Sequence, residues 1–208
     1  MLNKIFDMEN RFWTFANKLA DVVILELLWL LTSIPLITVG ASSVAFWHIL
    51  LKVATDQEGP IFSGYFRAFR QNIRQGTMIW LLQFASGVWL ALDAYICFKS
   101  DHLLAIALVG VFGALGLLWL FTSMYLYPLA GRFRFSFKKI IGNSFFLAIR
   151  HFPHTLCLLL LPAAAFAAAK YWPYALIGLP ALAFYLDARL IHWIFSLYME
   201  KDDETVSL

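Results

Sequence analysis

The chain has 208 residues, of which 62% are apolar and 14% are charged, whereas a soluble domain runs nearer about half apolar and about a quarter charged. So few charges cannot cover so much apolar surface in water, which excludes an ordinary soluble domain; in lipid the outside of a protein is itself apolar. The net charge of +3 is too small to suggest a nucleic-acid partner, and the information lies in where the basic residues fall.

Residues 1–18 mix acids, bases and aromatics, with no long apolar stretch ahead of a small-residue cleavage site, so no cleavable leader is read there. Phe6, Phe12, Trp13 and Phe15 alternate with Lys4, Arg11 and Lys18, an amphipathic pattern. A spanning helix needs about 20 mostly apolar residues, and residues 19–36 supply the first. Pro35 and Gly40 then break the helix. Residues 37–54 are long enough to cross but carry His48 and Lys52, so 19–54 is either one span plus a surface helix or a hairpin of two spans. In 61–75, Arg67, Arg70 and Arg74 recur at helical spacing opposite Phe62, Phe66, Phe69 and Ile73. That is the pattern of a helix lying in the inner membrane surface with its arginines toward anionic headgroups.

Residues 76–98 and 103–128 qualify easily as spans. Between 129 and 150 lies a second basic amphipathic stretch with Arg132, Arg134, Lys138 and Lys139. Its segment Phe146-x-Ala148-Ile149-Arg150 echoes Phe66-x-Ala68-Phe69-Arg70, a short hint of a duplicated hairpin. Residues 151–169 form a shorter candidate span, which Pro162 and an alanine run suggest is kinked and closely packed. Residues 173–198 form the last. The expected fold class is therefore all-α: a polytopic transmembrane helix bundle forming one integral membrane domain, with amphipathic cytoplasmic interfacial helices.

Five and six spans distribute the 16 Lys and Arg residues differently. Five spans put ten on the inner side and five outside. Six spans put thirteen inside, leave Lys99 and Lys170 outside and hold Arg189 within a helix. Cytoplasmic loops collect Lys and Arg, so six spans with both termini in the cytoplasm are favoured over five. Cys97 then lies near the outer face and Cys157 nearer the inner one, too far apart for a disulfide.

Ionisable residues inside spans are functional suspects by default. Glu26 lies about 12 Å deep in the first helix and Arg189 about 13 Å deep in the last, at about 1.5 Å per residue. The matched depths suggest a Glu26–Arg189 ion pair. Asp187 is deeper and on another face, since i and i+2 do not adjoin on a helix; His192 lies one turn from Arg189. Asp93 sits where Lys99 could partner it. His151 and His154 have loose ligand spacing, but Pro153 between them and the lack of an acidic or cysteine neighbour argue against a metal site. Gly110, Gly113 and Gly116 suggest close helix contact. No phosphate loop, nucleophile elbow or catalytic carboxylate pair occurs, so neither an enzyme nor a cofactor is expected.

The run KIFDMEN, the stretch SIPLITVGAS before a short helix, and YLYPLAGRF before a basic amphipathic segment resemble the YesL-like family of bacterial integral membrane proteins of unknown function. The resemblance covers nearly the whole chain. It implies a bacterial plasma-membrane location and, because such genes often accompany carbohydrate-uptake genes, a link to sugar import. It supplies no site residues. Two functions are consistent with this reading. One is a non-enzymatic accessory or regulatory partner of a membrane complex, such as a sugar-importer permease, anchored on anionic headgroups. The alternative is a small self-contained transporter or channel using Glu26, Asp187 and Arg189.

Overall fold

The computed structural model of the protein describes residues 11–57, 59–99, 103–171 and 178–206. The expectations placed on Lys4, Phe6 and residues 173–177 lie outside them. Every described element is a helix: α1 (Arg11–Ser33), α2 (Val39–Ala54), α3 (Ile61–Phe98), α4 (Leu103–Arg132), α5 (Phe137–Arg150), α6 (Phe152–Tyr171) and α7 (Gly178–Val206). Leu36–Ala54, Ile61–Phe98 and Leu108–Arg132 are long and apolar enough to cross a membrane, and α5 with α6 would make a fourth if that bent pair counts as one. Helices α1, with Lys18, Asp21 and Glu26, and α7, with Asp187 and Arg189, are not among them.

Prolines explain most of the breaks. Helix α1 stops at Ser33 because the residue before Pro35 is held out of the helical region, and a short 3₁₀ turn at Leu36–Thr38 leads into α2. Pro153 fits the first turn of α6 and would cost a hydrogen bond inside a helix continued from α5, and the chain bends by 96° there. Pro128, where the fourth span was expected to end, lies inside α4 instead.

The chain folds as successive antiparallel pairs. In α1–α2, Trp29 Nε1 donates to Ser43 Oγ at 3.0 Å, and at the far end Lys18 pairs with Asp56. In α2–α3, Gly40 faces Gly76 while Ile49 faces Gly64. In α3–α4, Gln83 meets Ser123 and Ser86 meets Trp119. In α6–α7, His151 meets Tyr198 and His154 lies against Trp193.

The segment whose crossing is least certain from sequence is the hub of the fold. Helix α2 touches α1, α3, α4 and α7, and Gly40 to Phe46 is buried without interruption. Two of its polar side chains meet neighbouring helices: Ser43 Oγ accepts from Trp29, and His48 Nδ1 lies 2.6 Å from the Gly131 carbonyl. Close approach rests on glycine. A Cβ on Gly40 would sit 2.0 Å from the Gly76 carbonyl oxygen, and one on Gly76 would sit 2.7 Å from Ala41 Cα. By contrast, nothing lies within 4 Å of a Cβ on Gly110, Gly113 or Gly116. The close contacts expected of these three glycines are not made, because the first half of α4 runs along an open groove beside α3.

Two further expectations change. Residues 61–75 are not a separate surface helix: they continue unbroken into 76–98 as one 38-residue helix, about 57 Å long at 1.5 Å per residue. Hydrocarbon is only about 30 Å thick. Helix α2 packs along the arginine-bearing first half of α3, so segments 37–54 and 76–98 are offset rather than side by side. Lys18 does not reach for headgroups either; it is 7% exposed and bound to Asp56. The second basic stretch does form its own amphipathic helix. In α5, Ile140, Ser144, Leu147 and Ala148 are buried, and Lys138, Lys139 and Arg150 are exposed.

Candidate binding cavity

Helices α3, α4, α6 and α7, with Trp47 of α2, line a half-open cavity of about 400 Å³. Its one acidic side chain is Asp187, 2% exposed, whose Oδ1 is buried and accepts no hydrogen bond among the described residues. Buried polar atoms are nearly always satisfied, so this oxygen stands out. Around it lie Trp47, Trp119, Tyr127 and Phe184, with Trp47 and Phe184 edge to face at 6.5 Å between centroids.

A hydrogen-bond chain borders the cavity. The Tyr127 hydroxyl donates to Gln83 Oε1 at 2.6 Å, Gln83 Nε2 to Ser123 Oγ at 2.6 Å, and Ser123 Oγ to the Trp119 carbonyl at 2.8 Å. The Trp119 indole donates to Ser86 Oγ at 2.9 Å. This network escapes a charge-based reading of the sequence. The available signal is Gln83, an amide inside an otherwise apolar span, because a polar side chain there needs a partner on a facing helix.

The other candidate residues scatter. Glu26 is half-buried with Oε1 unpartnered among the described residues, while Arg189 is exposed and its nearest hydrogen-bond partner is the Tyr185 hydroxyl at 3.5 Å. The expected Glu26–Arg189 ion pair is not formed: Arg189 lies on the Tyr185 face of α7, one turn on, and that face meets Phe15 of α1. His192 is half-buried beyond it. Asp187, on the opposite side of α7, is the only one of the four brought to the cavity. Lys99 lies over the Tyr95 ring at 4.9 Å rather than pairing with Asp93. Arg67, Arg70, Arg74, Arg134, Lys138 and Lys139 are exposed and Arg132 is half-buried. Among the described residues no three His, Cys, Asp or Glu side chains gather as a metal site requires, and Cys97 and Cys157 are free thiols.

Among the described residues the fold is all-helical, with helices long and apolar enough to cross a membrane and a cavity that holds a buried acid. Residues 22–94 match the family model described as "Protein of unknown function, DUF624". The chain is also 25% identical over 149 residues to "Uncharacterized protein YesL" of Bacillus subtilis (strain 168), covering 71% of this chain and 70% of that protein. The two matches support a YesL-like family of unknown function, the family the sequence motifs resemble. No solved structure matches the chain.

Proposed function

We propose that the protein acts by binding rather than catalysis, as an accessory or regulatory partner of a membrane complex in the bacterial plasma membrane. The observation that carries this reading is a gathered basic surface. Gln75 Nε2 donates to the Phe135 carbonyl at 3.0 Å, tying the arginine-bearing half of α3 to the α4–α5 link. Arg67, Arg70 and Arg74 thus share one end of the molecule with Arg134, Lys138 and Lys139. A surface of this kind suits the cytoplasmic side, anionic headgroups and an acidic cytoplasmic face of a partner. The family resemblance points to a sugar-importer permease as the partner class.

The pairing of helices supports both termini lying on that side. Lys18 with Asp56, Gln75 with Phe135 and His151 with Tyr198 close three hairpins, α1–α2, the second half of α3 with α4, and α6–α7. Six crossings satisfy this. The offset of α2 from 76–98 favours a variant in which α1–α2 enters from the inner side and turns back. Its tip, with Ile34, Leu36 and Ile37 each more than 60% exposed, then sits in lipid.

Purification from native membrane in mild detergent tests the accessory role. A permease recovered in stoichiometric amount, and lost with Arg67→Glu/Arg70→Glu/Arg74→Glu while the fold persists, is the expected result. Recovery of the protein alone would overturn it. A second reading, a self-contained solute transporter, is favoured by the Asp187 cavity; solute flux after reconstitution of the pure protein tests it.

A further inference from the structure

The Asp187 cavity is chemically one-sided. Tyr127, Ser123 and Trp119 each give their side-chain donor to a protein neighbour, and Gln83 gives one of its two amide hydrogens to Ser123. The acid is the group left over. Asp187 Oδ1 is buried and has no hydrogen-bond partner among the described residues. Two prolines add to the imbalance, since a proline inside a helix removes the hydrogen bond to the carbonyl four residues back. Pro162 in α6 and Pro128 in α4 do this to Leu158 and Met124, and both of those residues line the cavity. A buried carboxyl oxygen with no hydrogen-bond partner among the described residues calls for a ligand that brings a positive charge and N–H groups, since a buried charge is costly unless it is paired.

The walls narrow the choice further. Trp47, Trp119, Tyr127 and Phe184 line the same cavity as the acid, and aromatic faces attract cations. An anion would meet Asp187 unfavourably, and a neutral alcohol offers one donor and no charge. The volume of about 400 Å³ falls within the usual range for small-molecule sites, about 300–1,000 Å³. We infer that this cavity binds a small organic cation, an alkylammonium whose N–H groups donate to Asp187 and whose charge faces the aromatic walls. The inference deepens the solute-handling reading above and is separate from the accessory role.

The test is calorimetric titration of the full chain in lipid nanodiscs with n-butylammonium, 1-butanol and butyrate, with empty nanodiscs subtracted. Wild type should bind n-butylammonium saturably and at least about tenfold more tightly than 1-butanol, as expected for a charge-assisted hydrogen bond, with no butyrate binding. Asp187→Asn should remove that preference. Equal binding of n-butylammonium and 1-butanol by wild type, or unchanged ammonium binding in Asp187→Asn, would overturn the site. The wild-type comparison decides by itself if the variant does not fold. Flux of n-butylammonium is measured separately in proteoliposomes, so that binding without flux upholds the site while removing the transporter reading.

Discussion

Asp56 is one residue where backbone and charge meet. It has a positive φ of 57°, a left-handed conformation that Asp and Asn tolerate better than most side chains. From that turn it holds the nearly buried Lys18 of α1. The hydrogen bond from Lys18 keeps the Asp56 carboxyl below its ordinary range, reinforced by the Lys18 charge and then by Arg189, with burial opposing. Because the folded-state value is depressed, the pair stabilises the fold above the usual carboxylate pKa of about 4, and that contribution is lost as pH falls through the lower folded value. Asp56→Asn keeps the backbone preference and removes the charge. Its thermal midpoint in detergent should lie below that of wild type at pH 7, and the two should converge below about pH 4. A gap that persists unchanged into acid would assign the effect to packing instead. Lys18 also marks a limit of reading charge from sequence. A lysine beside aromatics at the start of a span looks like a headgroup anchor, and only the return of α2 supplies the acid that buries it.

At the scale of elements, glycines with similar sequence settings play opposite parts. In a membrane there is little hydrophobic drive between helices, and packing of close backbones takes its place. Gly40 and Gly76 form such a contact, each meeting backbone atoms that cannot swing aside. Gly76→Ala should therefore lower stability by about 1–3 kcal/mol or prevent folding, the usual result of overpacking. Gly113→Ala, facing open space, should stay within about 0.5 kcal/mol of wild type. Thermal unfolding and monodisperse yield in detergent measure both. An equal loss in both variants would show that backbone freedom, not the α2–α3 crossing, is what these positions supply. Most helix positions follow from apolar runs and prolines, and the break at Pro35 is visible in the sequence. Which glycine touches what is not, because the regular triplet in α4 imitates a packing stripe, while Gly40 and Gly76 meet only when α2 folds back on α3. In the sequence the cavity shows only through Asp187 and the lone amide of Gln83. Gln83, Ser123 and Tyr127 come together from two helices, and no periodicity along one of them announces the other.

For the whole molecule, the decisive relation is between α3 and everything else. A helix of about 57 Å cannot lie within about 30 Å of hydrocarbon, and its first half carries Arg67, Arg70 and Arg74, all exposed. The second half is the part suited to lipid, with Trp89 and Phe98 at least 70% exposed. In the proposed topology whatever packs on the first half is displaced toward the cytoplasm, and α2 packs there along its whole length. Single cysteines in a Cys97→Ser/Cys157→Ser background convert this offset into a measurement with a membrane-impermeant maleimide. Cysteines replacing Arg70 or Lys138 should react only when the inner face is opened, and one replacing Leu92 should not react from either side. Positions 34 and 36, at the tip of the α1–α2 hairpin, separate the two topologies. A tip that turns back within the membrane stays unlabelled from outside, as the packing of α2 on residues 61–76 leads us to expect. Labelling of the tip on intact cells would instead establish two full crossings there, restore the six-pass count, and require α3 to tilt or the bilayer to thin around it.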